Sequence, residues 1–340
     1  MSTIENKKDV PTKALANIHK TMQRKKRIGV VGLGGVGGYY GAMLAMHNEI
    51  AQEYELIFIM RGEGKQKVIE QGLHITTVNG SFTVHPTLVS DTPEIIGSLD
   101  LIIFCTKTYD LENAAIQYKP CVHEGTIVLP LLNGVENSEI LQRIYPESKV
   151  LQGCAYIVSK IESPGCIVER GNSDQLFFGN KDIEPEKLDW IVDIFRKARI
   201  NFVYSKEIKR IIWEKFAFVC SVGTLTSYLD KPTGLILETD EYRNCLRSMI
   251  MEIMLLAEAK GIRFNDNFLE EALLKMSKLP YHTTSSLHHD LKNGHRTELE
   301  SLPGYVVLSA REKQIQVPMF DSLYVNLKLN TNSHLYGSEL

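Results

Sequence analysis

Short apolar runs alternate with helix-like segments in the first part of the chain. Residues 27–33 (RIGVVGL) form a β-branched run that ends in a glycine-rich stretch, the pattern of a parallel strand buried on both faces. Residues 37–47 are rich in small and helix-tolerant side chains, and residues 54–60 (YELIFIM) form the next apolar run. Together these three segments predict a β-α-β unit.

The alternation continues further along the chain. Residues 99–105 (LDLIIFC) and 125–132 (GTIVLPLL) are two more apolar runs, and residues 111–118 and 136–144 are candidate helices that follow them. This order predicts a doubly wound α/β sheet. Residues 73–86 alternate around an Asn-Gly pair, which predicts an antiparallel hairpin in or beside that sheet.

The pattern becomes helical in the second part of the chain. Residues 208–229 and 238–264 carry apolar side chains at helical spacing, with Gly261 as a helix stop. The methionines of the second segment are typical of a core stripe, which can extend to a subunit contact. A homodimer is therefore left open.

These patterns predict an α/β protein with two domains. We expect a Rossmann-type dinucleotide-binding domain over residues 27–205, preceded by an N-terminal extension over residues 1–26. A mostly α-helical substrate and catalytic domain follows over residues 206–340. A length of 340 residues suits this division, since domains usually contain about 100 to 200 residues.

A glycine loop follows the first predicted strand and opens the first predicted helix. It consists of Gly32, Leu33, Gly34, Gly35, Val36 and Gly37. In this setting the first glycine permits a tight turn, the second lets a pyrophosphate approach the backbone, and the third allows close helix packing. Glycine loops also occur as plain turns, but the flanking strand and helix favour dinucleotide binding.

The residue after the second strand indicates the cofactor. An acidic residue at this position would hold a ribose 2′-hydroxyl, but the chain has Arg61 there, which suits a 2′-phosphate. NADP is therefore favoured over NAD. The alternative is that Arg61 only lies in solvent at the end of a strand, and the nearby Glu63 weakens the argument for a phosphate.

Composition and charge indicate which kind of binding partner to expect. The chain has 38 Lys and Arg against 41 Asp and Glu, a formal charge of −3, so no strong attraction to nucleic acid or to an anionic membrane is expected. No apolar run approaches the length of about 20 residues that spans a bilayer, and residues 1–26 lack the apolar core of a secretory signal. A small-molecule partner is the prediction.

Cysteine and histidine usage agrees with a cytoplasmic protein that holds no metal. The six cysteines are widely spaced and form no C-x-x-C pair, which is typical of a reducing compartment. Four histidines, His282, His288, His289 and His295, lie close together in sequence but not at the spacing of zinc ligands. We expect them on the surface or in turns.

Reduction of a carbonyl without a metal needs a proton donor and fixed partners for the substrate. Lys215 lies in an apolar stretch (IIWEKFAF), where desolvation would lower its pKa. Taken alone, Lys215 is more typical of a solvated helix residue whose stem lies on apolar surface. Glu298 could likewise be an ordinary surface carboxylate, and Asn133-Gly134 could be only a turn.

The motifs together resemble ketopantoate reductases (2-dehydropantoate 2-reductases) over residues 27 to about 317. The matching segments are GLGGVGG at the glycine loop, MRG at 60–62, TK at 106–107, LLNGVEN at 131–137, WEKF at 213–216 and TSSLHHDLKNGHRTELE at 284–300. The resemblance implies a Rossmann-type domain followed by a helical domain, with the site in the cleft between them.

The resemblance also implies roles for individual residues. Gly32, Gly34 and Gly37 would bind the pyrophosphate of NADPH, while Arg61 and Lys107 would hold its adenosine end with the 2′-phosphate. The implied reaction is hydride transfer from NADPH to the 2-oxo carbon of 2-dehydropantoate, in pantothenate and coenzyme A biosynthesis.

The remaining implied roles concern the substrate. Asn133 would lie beside the nicotinamide and the substrate, and Lys215 would be the general acid that protonates the keto oxygen. A cationic lysine would also stabilise the negative charge that grows on that oxygen. Ser286 would contact the substrate carboxylate. Glu298 would contact a substrate hydroxyl and would be a catalytic residue together with Lys215.

One departure from the family pattern concerns the substrate pocket. Family members carry asparagines four and eight residues after the lysine, where this chain has Val219 and Gly223. Ser221, Thr224 or Thr226 are the candidates to replace them. The departure leaves open a related 2-oxo acid as substrate. A non-catalytic NADP-binding sensor is a third hypothesis, which the retained lysine, serine and glutamate disfavour.

Overall fold

The structure is a computed structural model that describes residues 24–171 and 174–336. The predicted extension over residues 1–26 lies outside the described residues except for residues 24–26. In chain order the strands are β1 (Lys26–Val31), β2 (Tyr54–Ile59), β3 (Leu73–Thr77), β4 (Gly80–Val84), β5 (Leu88–Ser90), β6 (Leu101–Phe104), β7 (Ile127–Pro130), β8 (Lys149–Val150), β9 (Gln152–Tyr156), β10 (Ser159–Ser163), β11 (Cys166–Glu169), β12 (Gln175–Gly179) and β13 (Phe202–Tyr204).

Helices alternate with these strands up to β13, and the elements that follow β13 are helices. The helices are α1 (Gly35–Ala51), α2 (Gly62–Gln71), α3 (Pro93–Ile96), α4 (Thr108–Gln117), α5 (Asn137–Ile144), α6 (Asp189–Lys197), α7 (Ile208–Leu229), α8 (Thr233–Glu238), α9 (Asp240–Ala259), α10 (Phe268–Ser277), α11 (Ser286–Lys292), α12 (Tyr305–Glu312) and α13 (Pro318–Tyr336). The change from strands to long helices falls between β13 and α7.

The main sheet is parallel and has the strand order β5-β2-β1-β6-β7-β8. This is a Rossmann-type order, so the predicted α/β class with a dinucleotide-binding topology is confirmed. The order reverses between β1 and β6, and ligands of such sheets bind beside the carboxyl ends of the strands at that point. The loops after β1, β2, β6 and β7 therefore define the edge where a site is expected.

Both faces of the main sheet are buried, as the apolar runs predict. Successive side chains of a strand point to opposite faces. Val30 and Phe58 join the core that packs against α1, whereas Val31 and Ile57 join the core on the opposite face, which packs against α4 and α5. All four side chains are at most 3% exposed. This burial fixes the sheet and hence the positions of its loops.

The predicted Asn-Gly hairpin forms, but in a second sheet. Strands β3 and β4 pair antiparallel up to Thr77 and Gly80, in the sheet of order β10-β11-β3-β4. This sheet packs on α1. A third sheet has the order β13-β12-β9.

The second part of the chain is helical, as predicted. Helix α7 packs against α9, α11 and α13, and it also contacts β9 and β12 of the third sheet. The predicted long helix over residues 238–264 is shorter and begins at Asp240, because α8 ends just before it. Gly261 has a φ of +74° and follows the end of α9, in agreement with its predicted role as a stop. Among the described helices, none is long and apolar enough to cross a membrane.

Candidate active site

The glycine loop forms a tight turn between β1 and α1. Gly32 has a φ of +86°, a conformation that glycine adopts without strain. A Cβ atom on Gly37 would lie 2.0 Å from the carbonyl oxygen of Gly32, so only glycine fits there. At Gly34, by contrast, no described atom lies within 4 Å of an added Cβ. The loop is therefore closed on the helix side and open above Gly34.

The start of α1 suits an anion. Gly34 is the N-cap and provides no side chain to cap the helix, and the first turn of α1 holds no acidic residue among those described. The free N–H groups and the positive end of the helix dipole therefore face the open space. Thr106 Oγ1 and Ser159 Oγ, whose residues flank the loop, are buried without a hydrogen-bond partner in the described structure. These features fit the pyrophosphate of a dinucleotide.

Arg61 lies at the N-cap position of α2, after the second strand as predicted. Its side chain is 78% exposed, and one guanidinium nitrogen lies 3.5 Å from a carboxylate oxygen of Asp110. Asp110 also accepts a hydrogen bond from Arg296 at 3.2 Å. Arg61 is thus largely exposed and has one partly exposed carboxylate as its partner. Its role towards a 2′-phosphate stays a prediction.

Lys107 connects the main sheet to the helical domain. Its Nζ donates to Asp290 Oδ2 of α11 at 2.7 Å and lies 3.8 Å from Glu298 Oε2. Burial lowers the pKa of Lys107, but Glu298 and Asp290 raise it, and the net pKa is above its ordinary value. Asp290 has no predicted role, although it lies in the HHDLKNGHRTELE segment. Lys107 therefore lies in the cleft between the domains, and its contact with the cofactor stays a prediction.

Glu298 is a cleft residue, so its interpretation as an ordinary surface carboxylate is wrong. It is only 4% exposed. Oε1 accepts hydrogen bonds from the backbone N–H of Thr108 at 3.1 Å and from its hydroxyl at 3.0 Å. Thr108 begins α4, where a carboxylate is favoured by the helix dipole. The other oxygen, Oε2, has the Lys107 ammonium as its charged neighbour at 3.8 Å, which is too long for a hydrogen bond.

Lys215 is buried in α7, so its interpretation as a solvated residue is wrong. It is 7% exposed, and its Nζ donates to Asn133 Oδ1 at 3.0 Å. Burial lowers the pKa of Lys215, while Cys154 and Glu298 act in the opposite direction and the net shift is downward. An ammonium group with a lowered pKa gives up its proton more readily.

Asn133 is both a turn residue and the partner of Lys215. It follows β7, and the next residue, Gly134, has a φ of +95°. Its carbonyl oxygen accepts a hydrogen bond from Asn137 Nδ2 at 2.8 Å, which holds the turn. The turn therefore aims the Asn133 amide at Lys215, and the role of Asn133 beside the nicotinamide and the substrate stays a prediction.

A narrow cleft surrounds this pair of residues. Its lining residues are Leu132, Asn133, Gly134, Cys154, Ile212, Lys215, Phe216, Val219 and Leu302. Val219 presents an apolar side chain where the family pattern has an amide. A Cβ on Gly223 would lie 3.9 Å from the Cβ atoms of Ser285 and Leu287, so Gly223 faces the start of α11.

The three hydroxyl residues that were candidates to replace the missing amides do not line the cleft. Ser221, Thr224 and Thr226 are all fully buried. Thr226 Oγ1 donates to Val222 O at 2.7 Å and lies 3.0 Å from Ser285 Oγ. Thr226 therefore belongs to the packing of α7 against the start of α11, whereas Ser221 Oγ is buried with no hydrogen-bond partner in the described structure.

Ser286 is exposed at the first position of α11. The preceding residue, Ser285, caps the helix by accepting a hydrogen bond from His288 N at 3.0 Å. Of the two serines, Ser285 is thus structural and Ser286 is available to a ligand. The structure does not bring Ser286 into contact with Lys215, and its role towards a carboxylate stays a prediction.

The predicted surface position of the histidines is wrong for one of them. His288 is 7% exposed and its Nε2 lies 2.7 Å from Asp230 Oδ1. This contact joins α11 to the end of α7. Within the described residues, no group of three His, Cys, Asp or Glu side chains could hold a metal ion.

Sequence reasoning missed one cation beside the cleft. Lys275 of α10 places its Nζ 3.4 Å from the centroid of the Tyr156 ring, and Lys215 Nζ lies 5.8 Å from the same centroid. The sequence carries no signal for this contact, because Lys275 lies in an ordinary amphipathic helix and Tyr156 ends a short strand. Only the packing of α10 near β9 brings them together.

A Rossmann-type sheet with an open glycine loop, joined through a buried lysine to a helical domain, defines a dinucleotide-dependent oxidoreductase. The family described as "Ketopantoate reductase PanE/ApbA" matches residues 28–182, and its C-terminal counterpart, "Ketopantoate reductase PanE/ApbA C terminal", matches residues 207–331. The chain belongs to the ketopantoate reductase family, as the sequence motifs indicate.

Individual relatives extend over nearly the whole chain. An uncharacterized oxidoreductase of Bacillus subtilis is 28% identical over 301 residues, which cover 88% of this chain and 97% of the relative. A 2-dehydropantoate 2-reductase of Halobacterium salinarum is 26% identical over 298 residues, which cover 87% and 96%. The crystal structure of 2-dehydropantoate 2-reductase from Porphyromonas gingivalis is 31% identical, has a TM-score of 0.79, and matches 89% of this chain and 99% of its own.

Proposed function

We propose that the protein reduces 2-dehydropantoate to pantoate with NADPH, as a step of pantothenate and coenzyme A biosynthesis. Residues 27–205 would bind the dinucleotide, and residues 206–340 would supply the proton donor. The observation that carries the proposal is the 3.0 Å hydrogen bond from Lys215 Nζ to Asn133 Oδ1. It places a buried ammonium group of the helical domain beside the carboxyl end of β7, where a nicotinamide would lie.

The reaction needs a hydride and a proton. NADPH supplies the hydride to the 2-oxo carbon when it is bound. Lys215 donates the proton to the keto oxygen, and until then its positive charge stabilises the negative charge that develops there. Asn133 fixes the direction of the ammonium group by accepting a hydrogen bond from one of its three N–H groups. The other two N–H groups are then available to donate hydrogen bonds to the substrate.

The remaining residues bind rather than transfer protons. Glu298 Oε1 is engaged by Thr108, so Oε2 is the atom that we assign to a substrate hydroxyl. Ser286 at the start of α11 is assigned to the carboxylate. Arg61 is assigned to the 2′-phosphate because its guanidinium is exposed at the end of β2, and this assignment makes NADPH the preferred cofactor.

The structure also favours a second candidate function, the reduction of a related 2-oxo acid. Val219 lines the cleft with an apolar side chain, and the hydroxyl residues nearby are buried in helix packing. A pocket of this kind would favour a substrate with a more apolar side chain. A sensor that binds NADPH without turnover is disfavoured, because a buried lysine is costly to a fold that gains no chemistry from it.

The cellular setting is part of the proposal. All six cysteines are free thiols, which is typical of a protein in the reducing cytoplasm. The substrate is a small molecule, and no contact with nucleic acid or a membrane is proposed. A homodimer stays a prediction: Met249 of α9 is buried in the core, whereas Met251 and Leu255 are about half exposed.

The test is oxidation of NADPH by the purified full-length protein with 2-dehydropantoate and a panel of other 2-oxo acids. The proposal predicts the highest kcat/KM with 2-dehydropantoate. A higher kcat/KM with another acid would support the second candidate function, reduction of a related 2-oxo acid. Binding of NADPH without oxidation by any acid would contradict both and support a sensor.

A further inference from the structure

A second ammonium group, that of Lys275, lies near Lys215. Lys275 Nζ is 3.4 Å from the centroid of the Tyr156 ring and 5.5 Å from that of Phe218. Tyr156 ends β9, and Phe218 lies on α7 one turn after Lys215. Helix α10 therefore places a positive charge near two aromatic rings, neither of which is among the residues that line the cleft around Lys215.

The two ammonium groups are close to each other. Lys215 Nζ lies 5.8 Å from the Tyr156 centroid, so its distance from Lys275 Nζ cannot exceed about 9 Å, the sum of the two separations from the ring. Cys154 acts electrostatically on both lysines, which places its thiol near both. Lys275 is exposed as a residue, but partial desolvation of its ammonium group lowers its pKa to about 8, and the positive charge of Lys215 contributes to the shift.

The described residues provide no carboxylate partner for either lysine within ion-pair distance. Glu214 is near enough to Tyr156 to raise the pKa of its phenol, but its carboxylate is held by Arg210 at 2.8 Å and by the backbone N–H of Asn265 at 3.2 Å. Lys215 is buried whereas Lys275 is exposed to solvent, and two like charges at this separation repel each other. An anion bound between them would relieve that repulsion.

We propose that Lys275 binds the carboxylate of the 2-oxo acid substrate. The inference rests on the proposed function, since Lys215 must contact the keto oxygen of the same molecule. In a 2-oxo acid the carboxylate is attached directly to the keto carbon. Two charge-assisted hydrogen bonds of about 2.8 Å each, one to the keto oxygen and one to the carboxylate, require the two ammonium groups to lie within about 8 Å of each other, on the same side of the Tyr156 ring. This separation is below the upper limit of about 9 Å set by the two ring distances.

Lys275 would supply binding energy that the pocket otherwise lacks. Val219 lines the cleft and Gly223 faces the start of α11, and neither side chain can form a hydrogen bond. Ser286 offers one neutral hydroxyl. A hydrogen bond between two charged groups is roughly twice as strong as a neutral one, so a single lysine is sufficient to bind the carboxylate.

The variant K275M tests the role of the charge, with K275R as the conservative variant and K278M as the matched control. Lys278 follows the same helix and is exposed. Loss of a charge-assisted bond would raise the KM for 2-dehydropantoate about 10- to 100-fold with kcat changed less than about threefold. K275R would recover most of the loss, and K278M would match the wild type.

The neutral lactone of the substrate, 2-dehydropantolactone, separates a carboxylate contact from a structural effect. K275M and the wild type should have the same kcat/KM with the lactone. An equal loss with acid and lactone, or an unchanged KM for the acid, would overturn the inference while leaving the proposed function intact.

A binding measurement separates this inference from the proposed function. Oxalate is a small dicarboxylate that hydride transfer does not reduce, and calorimetry on the NADP-loaded protein measures its binding without turnover. The inference predicts at least about tenfold weaker binding to K275M than to the wild type. Equal affinity, or no binding of oxalate to the wild type, would overturn it even if every 2-oxo acid proved inactive as a substrate.

Discussion

Lys215 Nζ and Asn133 Oδ1 lie 3.0 Å apart, although the two residues belong to different domains. Asn133 is held by the turn after β7, and Lys215 is held by a helix whose neighbouring residues Trp213 and Phe216 pack on Tyr305. Each partner is therefore fixed by its own domain. The bond between them joins the two domains across the cleft, where the proposed chemistry would take place.

Two alanine variants of the glycine loop should separate cofactor binding from folding. G34A places a methyl group in the open space above the loop, so the protein should keep its Tm but lose at least about tenfold in NADPH affinity. G37A forces a Cβ to within 2.0 Å of Gly32 O and should destabilise the fold by about 1–3 kcal/mol or more.

Thermal unfolding and fluorescence titration with NADPH check this pair of variants. Equal NADPH affinity of G34A and the wild type would show that the pyrophosphate lies elsewhere. The control is the comparison of Tm and NADPH affinity in the same two variants. If the loop served only as a turn, G34A would keep both its Tm and its affinity for NADPH.

The variant R61A should change cofactor preference. Removal of the guanidinium should raise the KM for NADPH about 10- to 100-fold and leave the KM for NADH within about threefold, because only NADPH carries the 2′-phosphate. Steady-state kinetics with both cofactors measure the effect. Higher kcat/KM of the wild type with NADH than with NADPH would contradict the assignment of Arg61.

The pH dependence of reduction should follow the protonation of Lys215. Burial lowers the pKa of this lysine, and Cys154 and Glu298 partly offset the decrease. Because the protonated ammonium is the donor, kcat for reduction should fall as pH rises through this lowered pKa, below the ordinary lysine value of about 10.4. The reverse oxidation of pantoate needs the neutral amine, so its kcat should rise over the same range. A kcat for reduction that increases with pH would contradict the assignment.

The apolar position in the cleft should control the choice of substrate. V219N restores an amide at a residue that lines the site, and an additional hydrogen bond to a hydroxyl of 2-dehydropantoate should improve its kcat/KM about 5- to 10-fold relative to an unhydroxylated 2-oxo acid. Competition between the two acids measures the ratio directly. An unchanged ratio would show that Val219 does not contact the part of the substrate that differs.

The sequence was sufficient to predict the parallel sheet and the position of the glycine loop. The apolar runs are continuous because both faces of the sheet are buried, and Val30 and Val31 point into different cores for that reason. The glycine N-cap of α1 and the absence of acidic residues from its first turn are local properties as well. Such properties depend on neighbours in sequence, which is why periodicity and spacing detect them.

Contacts between distant segments could not be predicted in the same way. Lys215 and Glu298 each had an ordinary surface interpretation, which only burial against the other domain overturned. The ion pair of Lys107 with Asp290 and the approach of Lys275 to Tyr156 depend on how helices pack on the sheet domain. A polar residue carries no periodic signal for such a contact, so its partner emerges only from the three-dimensional structure.

The central claim is that Lys215 donates the proton during reduction of a 2-oxo acid, and single-turnover kinetics of K215M test it most directly. Methionine has a similar volume and removes a buried charge, so the variant should fold and bind NADPH like the wild type. The measurement is the rate of NADPH absorbance loss after mixing the NADPH-loaded protein with 2-dehydropantoate. We predict a fall of about 10²- to 10⁴-fold with NADPH affinity unchanged, whereas a fall of less than about tenfold would contradict the claim.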